Sequence, residues 1–334
     1  MISLKSKKLK ALAAGLMLTL AMGIVGCSGD SKDGKKAEKV NVGIVQLVEH
    51  EALDAANKGF VEGLASKGYK EGQNIAFDKQ NAQADQSNLQ NIAHRFVNNK
   101  VDLICAIATP AAQTVANVTS DIPIVATAVT DYKTAKLVKD NDKPGTNVTG
   151  TTDMNPVAEQ LDLLTKLVPN VKTIGTVYCS SEVNSQLQVE ILKKAAAAKG
   201  ITVKEATVST VNDIQQAAHS LVGSVQAVYI PTDNVLASAI PTLISVTDEA
   251  KLPVICGEGG MVRAGGLATL GVDYYKLGFQ TGVMAADILS GKAKPAEMAI
   301  QAQKDFKPVI NMKSAAKIGL TVPEALLKDA EVIK

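Results

Sequence analysis

The residues able to do chemistry in this chain recur at one kind of place. Where a short apolar run ends and a helical pattern begins, hydroxyls, carboxamides or carboxylates follow. In the first half these are Gln46 and Glu49, with His50 beside them, then Thr109 with Ala111, then Thr130 with Asp131. In the second half they are Ser180, Asn184 and Ser185, then Asp233 and Asn234, then Glu258, then Asp273 near a change of lobe. Ligands of open α/β sheets bind outside the carboxyl ends of the strands, so these residues define one candidate binding edge. Thr109-Pro110-Ala111 and Ser180-Ser181 read as helix openings, whose free backbone N–H groups favour an anion such as a carboxylate. Asp131, Asp233, Glu258 and Asp273 supply negative charge that could hold an ammonium. Both holders together suit a zwitterion such as an α-amino acid, and Tyr178, Tyr229, Tyr274 and Tyr275 offer aromatic walls. Taken singly, Ser, Thr, Asp or Asn at a strand–helix junction is an ordinary helix cap; the clustering on one edge is what points to a ligand. Asp233→Ala is expected to weaken binding without unfolding the protein.

Catalytic signatures are missing. The three histidines, His50, His94 and His219, are too isolated for a metal site. There is no HExxH, GxSxG, GxxxxGK[ST] or GxGxxG. No nucleophile–base pair follows from spacing, and no catalytic residue, metal or cofactor is assigned. His50 could line a site; His94 and His219 read as solvated. Cys105, Cys179 and Cys256 lie in apolar runs without CxxC spacing, as buried reduced thiols do.

The elements that must position this edge alternate. Strand-like runs at 40–48, 75–82, 103–108 and 122–129 are separated by helical patterns at 51–67, 86–99 and 109–118. A polar stretch, 139–150, reads as a boundary. Alternation then restarts with helices near 156–168, 182–199, 212–222 and 234–251 and strands at 173–179, 202–208, 227–233 and 253–257. LATLGVD (267–273), a helix over 274–291 and FKPVINM (306–312) close the chain. The stripe Leu277, Thr281, Met284 and Ile288 reads as core. Strands alternating with helices imply parallel βαβ sheets, here twice: two doubly wound α/β lobes. They are either split simply near 150 or discontinuous, with crossings near 150, 272 and 302.

The N-terminus reads as an address. Lys5, Lys7, Lys8 and Lys10 precede the uncharged run 11–26, too short for a permanent membrane span. Ile24-Val25-Gly26-Cys27 matches a lipobox, so cleavage before Cys27 and lipid on its thiol are expected. Residues 28–39 read as a polar tether. This places the folded body outside the cytoplasm, lipid-anchored to the membrane.

Composition fits that body. The 334 residues are 46% hydrophobic and 20% charged, which excludes a disordered or disulfide-scaffold chain. The 35 Lys and Arg against 33 Asp and Glu include the four leader lysines, so the remainder carries two more acids than bases. Without a basic stripe, nucleic acid is not the expected partner.

The segments VGIVQLVEHEALDAANKGF (42–60), ATPAAQ (108–113), ATAVTD (126–131), NVTGTTD (147–153), SSEVNS (180–185), PTDN (231–234) and GEGGMVRAGGLATLGVDYYKLGFQTG (257–282) carry a family likeness. Over about 40–334 the chain resembles the substrate-binding lipoproteins of ABC transporters, in the family with tryptophan- and tyrosine-binding members. Glu51 departs from it, standing where Pro would follow His50. The resemblance implies a type I periplasmic-binding fold with three crossovers and hinge closure. It favours discontinuous lobes, 40–150 plus 274–302 and 151–273 plus 303–334. It implies an amino acid ligand, aromatic favoured, a permease and its ATPase as partners, and a monomer. A surface enzyme using the same cleft, or a sensor signalling to a membrane receptor, are the competing readings.

Overall fold

Runs such as Leu103–Ile107 are apolar at every position because both faces of a parallel strand are covered by helices. The computed structural model describes residues 39–334. The chain runs β1 (Val40–Gln46), α1 (Glu51–Ser66), β2 (Ile75–Asn81), α2 (Gln86–Asn98), β3 (Leu103–Ile107), α3 (Thr109–Val118), β4 (Ile124–Val129) and β5 (Val148–Thr152). It continues through α4 (Val157–Leu167), β6 (Thr173–Cys179), α5 (Val183–Ala198), β7 (Thr202–Val208), α6 (Ile214–Leu221), β8 (Ala227–Ile230), α7 (Asn234–Ser238), α8 (Ile240–Glu249), β9 (Val254–Cys256), α9 (Gly259–Arg263) and β10 (Ala268–Gly271). Then come α10 (Tyr274–Leu289), β11 (Gln301–Ala302), β12 (Lys307–Asn311), α11 (Met312–Ile318) and β13 (Glu331–Ile333).

These strands form two sheets, in the orders β2-β1-β3-β4-β5-β11 and β7-β6-β8-β9-β10-β12-β13. The first is parallel throughout. Each sheet reverses its winding once, between β1 and β3 and between β6 and β8, and a crevice opens at such a reversal. The chain leaves the first sheet after β5, returns after β10 so that α10 packs on α1, and leaves again after β11. Two doubly wound lobes joined by three crossings are therefore present, as expected. One core fills the first lobe and takes in residues of α10; two more cover the faces of the second sheet.

Helices α1 and α10 meet backbone to backbone. A Cβ built on Gly278 would lie 1.9 Å from the Ala56 carbonyl oxygen, and one on Gly59 2.1 Å from that of Tyr275. Gly63 and Gly282 are equally tight, so each helix contributes two glycines four residues apart. This contact sets the starts of both helices, His50–Leu53 and Asp273–Tyr274, side by side at the seam between the lobes.

Several expectations are corrected. The stretch 139–150, read as a boundary, runs into strand β5. Its small residues are buried, and the Thr151 hydroxyl bonds those of Thr127 (3.2 Å) and Thr281 (2.8 Å), so polar side chains are satisfied inside the sheet. The helix expected over 234–251 divides into α7 and α8 at Pro241, which cannot continue the preceding turn. Strand β12 runs antiparallel to β10, against the all-parallel expectation. Ser180-Ser181 do not open a helix: Glu182 is the cap position and α5 begins at Val183. Other expectations hold: His94 and His219 are exposed, and Cys105, Cys179 and Cys256 are buried free thiols. Residues 1–38, with Cys27 and the lipobox, lie outside the described residues.

Candidate functional site

The two winding reversals face each other, and the side chains there form one polar cluster. On the second lobe, Glu182 and Asp233 both hold the start of α7. Glu182, at the start of α5, accepts from the backbone N–H groups of Asn234 (3.1 Å) and Val235 (3.2 Å) at the start of α7. It also accepts from Nδ2 of Asn184 (2.8 Å) and of Asn234 (2.6 Å). Asp233 caps its own helix at Leu236 N–H (2.9 Å) and accepts from Cys179 N–H (2.6 Å) and Ser185 Oγ (2.7 Å). Burial raises the pKa of both carboxyls, and the negative charge of Asp233 adds to the rise at Glu182.

On the first lobe, Thr130 Oγ1 donates to Asp153 (3.1 Å), and Tyr274 OH donates to the other oxygen of Asp153 (2.5 Å). Burial raises the Asp153 carboxyl while these donors oppose the rise. Ala128, at a register shift late in β4, has φ +55, and Ala108, before α3, has φ +89. Such backbone costs non-glycine residues of order 1–3 kcal/mol and collects at ligand sites. His50 holds the cap position of α1 without capping it; its Nε2 reaches instead across the lobes to Asn234 Oδ1 (3.3 Å). Helices α3 and α5 likewise lack a side-chain cap of their own.

Between the lobes lies a cavity lined by His50, Leu53, Ala128, Thr130, Asp153, Asn184, Thr232, Asp233, Asn234, Ala237, Glu258, Met261 and Tyr274. Its free volume is about 10 Å³, room for about one water, so the lobes are shut. Four buried side-chain polar atoms lack a partner among the described residues, and two, His50 Nδ1 and Asn184 Oδ1, belong to this lining. A third, Thr109 Oγ1, belongs to the first residue of α3 and lies outside this lining. The lining includes three carboxyls and no lysine or arginine. Glu258 caps α9 through Met261 N–H (2.8 Å) and Gly260 N–H (2.5 Å), and burial pushes its carboxyl up to about 7. Thr130 and Thr232 approach across the seam at 3.5 Å. A larger cavity of about 350 Å³ adjoins it, sharing Glu258 and Tyr274 and lined also by Glu51, Arg263 and Asp273. No described group of His, Cys, Asp and Glu could hold a metal.

Of the residues singled out from sequence, Thr130, Asn184, Asp233, Asn234 and Glu258 line the cavity, and Ser185 supports Asp233 from beneath. Gln46 is spent inside the lobe, donating to Asp54 (2.6 Å) and accepting from Asn57 (2.9 Å). Glu49 and Ser180 are exposed, and Ala111 is buried in the first core. Asp131 caps a turn at Thr134 N–H (2.6 Å), and Asp273 caps α10 at Lys276 N–H (3.1 Å). Only Tyr274 of the four tyrosines lines the cavity; Tyr178 bonds Glu205, Tyr229 bonds Gln160 and Tyr275 bonds Glu62. Sequence reasoning missed Glu182, Thr232 and Asp153. Glu182 and Thr232 stand within two residues of singled-out positions, whereas Asp153 closes the segment NVTGTTD, more than twenty residues from the nearest of them.

Two hinged α/β lobes shut on a polar, acceptor-rich seam define a solute-binding protein. Residues 41–334 match the family described as ABC transporter substrate binding protein, and the chain belongs to that family. It is 45% identical over 298 residues to a tyrosine-binding protein of Clostridioides difficile (strain R20291), covering 87% of this chain and 86% of that protein. It is 41% identical to an ABC domain from Streptococcus pneumonia solved in complex with L-Trp, with a TM-score of 0.86 over 89% of this chain and 100% of that one. A substrate-binding protein with adhesive properties from Clostridium difficile, solved ligand-free and open, is 44% identical. It gives only 0.68 over 88% of this chain and 99% of that one. The lower score despite the higher identity agrees with the shut seam seen here.

Proposed function

We propose that this protein captures an aromatic amino acid between its lobes and delivers it to an ABC permease driven by its ATPase. The observation that carries the reading is the seam itself. Buried acceptors and carboxyls await a donor-bearing cation, helices α1 and α5 start there without caps of their own, and Leu53, Met261 and Tyr274 supply apolar wall. An ammonium would meet the carboxyls of Asp153, Asp233 and Glu258. A carboxylate would meet the uncapped helix starts, where backbone N–H groups and the helix dipole favour negative charge. The likeness to proteins named for tyrosine and solved with L-Trp supports a ring as the third feature. Space for one water means that the lobes must part to admit such a solute. Binding then favours a closed form in which the lobes stay apart by the width of the ligand, because only such a form contacts the ligand from both sides.

Cys27 with its lipobox supports an extracytoplasmic body held by lipid, residues 28–39 acting as tether. No described helix is long and apolar enough to cross a membrane. Calorimetry with L-tyrosine and L-tryptophan, paired with small-angle scattering, tests the binding reading. One molecule bound per chain with compaction is expected; heat without compaction, or no heat for either, would refute it. Loss of lipid labelling in Cys27→Ser tests the anchor.

A further inference from the structure

The seam contains a neutral acceptor that folding does not use. Asn234 Nδ2 donates to Glu182 at 2.6 Å, which turns its amide oxygen toward His50. That oxygen carries no hydrogen, so the proton of the imidazole must sit on Nε2. Burial lowers the pKa of His50, so the ring is neutral with one proton. Its other nitrogen, Nδ1, is then a bare lone pair, buried and without a partner. The same residue occupies a helix cap position where Ser, Thr, Asp or Asn would stabilise α1, and it makes no cap. Neither helix initiation nor the contact with Asn234 requires the second nitrogen.

An ammonium has better partners close by. Three carboxyls line the same cavity, and charge-assisted bonds to them are about twice as strong as bonds to a neutral acceptor. We propose that His50 Nδ1 accepts a hydrogen bond from the ring of the ligand, the phenol O–H of tyrosine or the indole N–H of tryptophan. His50 then sets the protein against phenylalanine. This rests on the aromatic amino acid reading above. A ring with no donor leaves the lone pair buried and unpaired, a loss that corresponds to roughly 5- to 150-fold in affinity.

The test is calorimetry with L-tyrosine, L-tryptophan and L-phenylalanine on the full folded body. The wild type should bind the first two at least about 5-fold more tightly than the third. His50→Gln keeps an N–H for Asn234 and carries no acceptor at the Nδ1 position, so the preference should collapse toward unity. His50→Asn returns an amide oxygen near the position of Nδ1 and should restore part of it. Thermal melts confirm that both variants fold. Equal affinity of the wild type for all three amino acids would overturn the inference alone. So would an unchanged preference in His50→Gln with all three weakened together, which would make His50 an organiser of the edge. Failure of the wild type to bind any of the three would instead overturn the aromatic amino acid reading beneath it.

Discussion

At the scale of single residues, the seam concentrates carboxyls where water cannot reach them. Burial raises Asp153, Asp233, Glu182 and Glu258 together, the last to about 7. A carboxyl raised in the fold prefers its proton there. Its stabilising contribution is complete below the ordinary value near 4.5 and is lost as pH climbs through the raised one. The ligand-free protein should therefore melt at a lower temperature at pH 8 than at pH 5. Saturating L-tyrosine should shrink that difference, because its ammonium favours the ionised carboxyls. A flat profile in thermal melts would show that these groups ionise as freely folded as unfolded. Asp233 needs a revised expectation. It is 1% exposed and accepts three bonds from Leu236, Cys179 and Ser185. Asp233→Ala should cost about 2–4 kcal/mol in urea unfolding, through the lost cap and two stranded donors. Its loss of binding would then not be separable from loss of fold. Asp233 was legible as a junction acid, whereas Glu182 was not singled out. Its partners, Asn234 and Val235, lie over fifty residues away, and only the fold brings α5 and α7 together.

At the scale of elements, the pairing of α1 with α10 decides where the first lobe's side of the seam sits. Gly278→Ala would drive a methyl into the Ala56 carbonyl, and backbone cannot yield as a side chain does. A loss of about 3 kcal/mol or more in urea unfolding is expected, with ligand affinity falling in whatever fraction stays folded. Gly68→Ala, where nothing lies within 4 Å but φ is +94, should cost less, about 1 kcal/mol. The alternation of β-branched runs with amphipathic helices made most strands and helices readable, since that pattern is local. The contact between GFVEG and GFQTG was not readable, because it joins helices more than two hundred residues apart. Strand β5 also escaped. Thr149, Gly150 and Thr151 look like a loop until β4 and β11 pair with their backbone and Met298, Thr127 and Thr281 take up the two hydroxyls.

At the scale of the whole molecule, three side-chain pairs among the described residues bind lobe to lobe directly outside the crossings. They are His50 with Asn234, Thr130 with Thr232, and Glu51 with Arg263. The last is the one charged pair. Arg263 is held within its own lobe by Glu331 at 2.8 Å, so closing adds Glu51 to a side chain that has already lost much of its freedom. Glu51, noted in the sequence as a departure after His50, thus has a cross-lobe partner. Glu51→Gln should weaken ligand affinity about 2- to 5-fold at low salt and much less at 1 M salt, read by calorimetry at both. Identical affinities in wild type and variant would show that the pair does not favour closure. Two lobes were legible because the alternation occurs twice. The closed state was not, since its contacts join residues 102 to 212 positions apart.

A seam with space for roughly one water leaves no room for a solute to pass while the lobes stay this close. A captured solute stays for as long as the shut form lives, and an outside competitor, however concentrated, cannot hasten its departure. Chase experiments should therefore give one release rate at every competitor concentration. A docked permease that speeds release must do so by prising the halves apart.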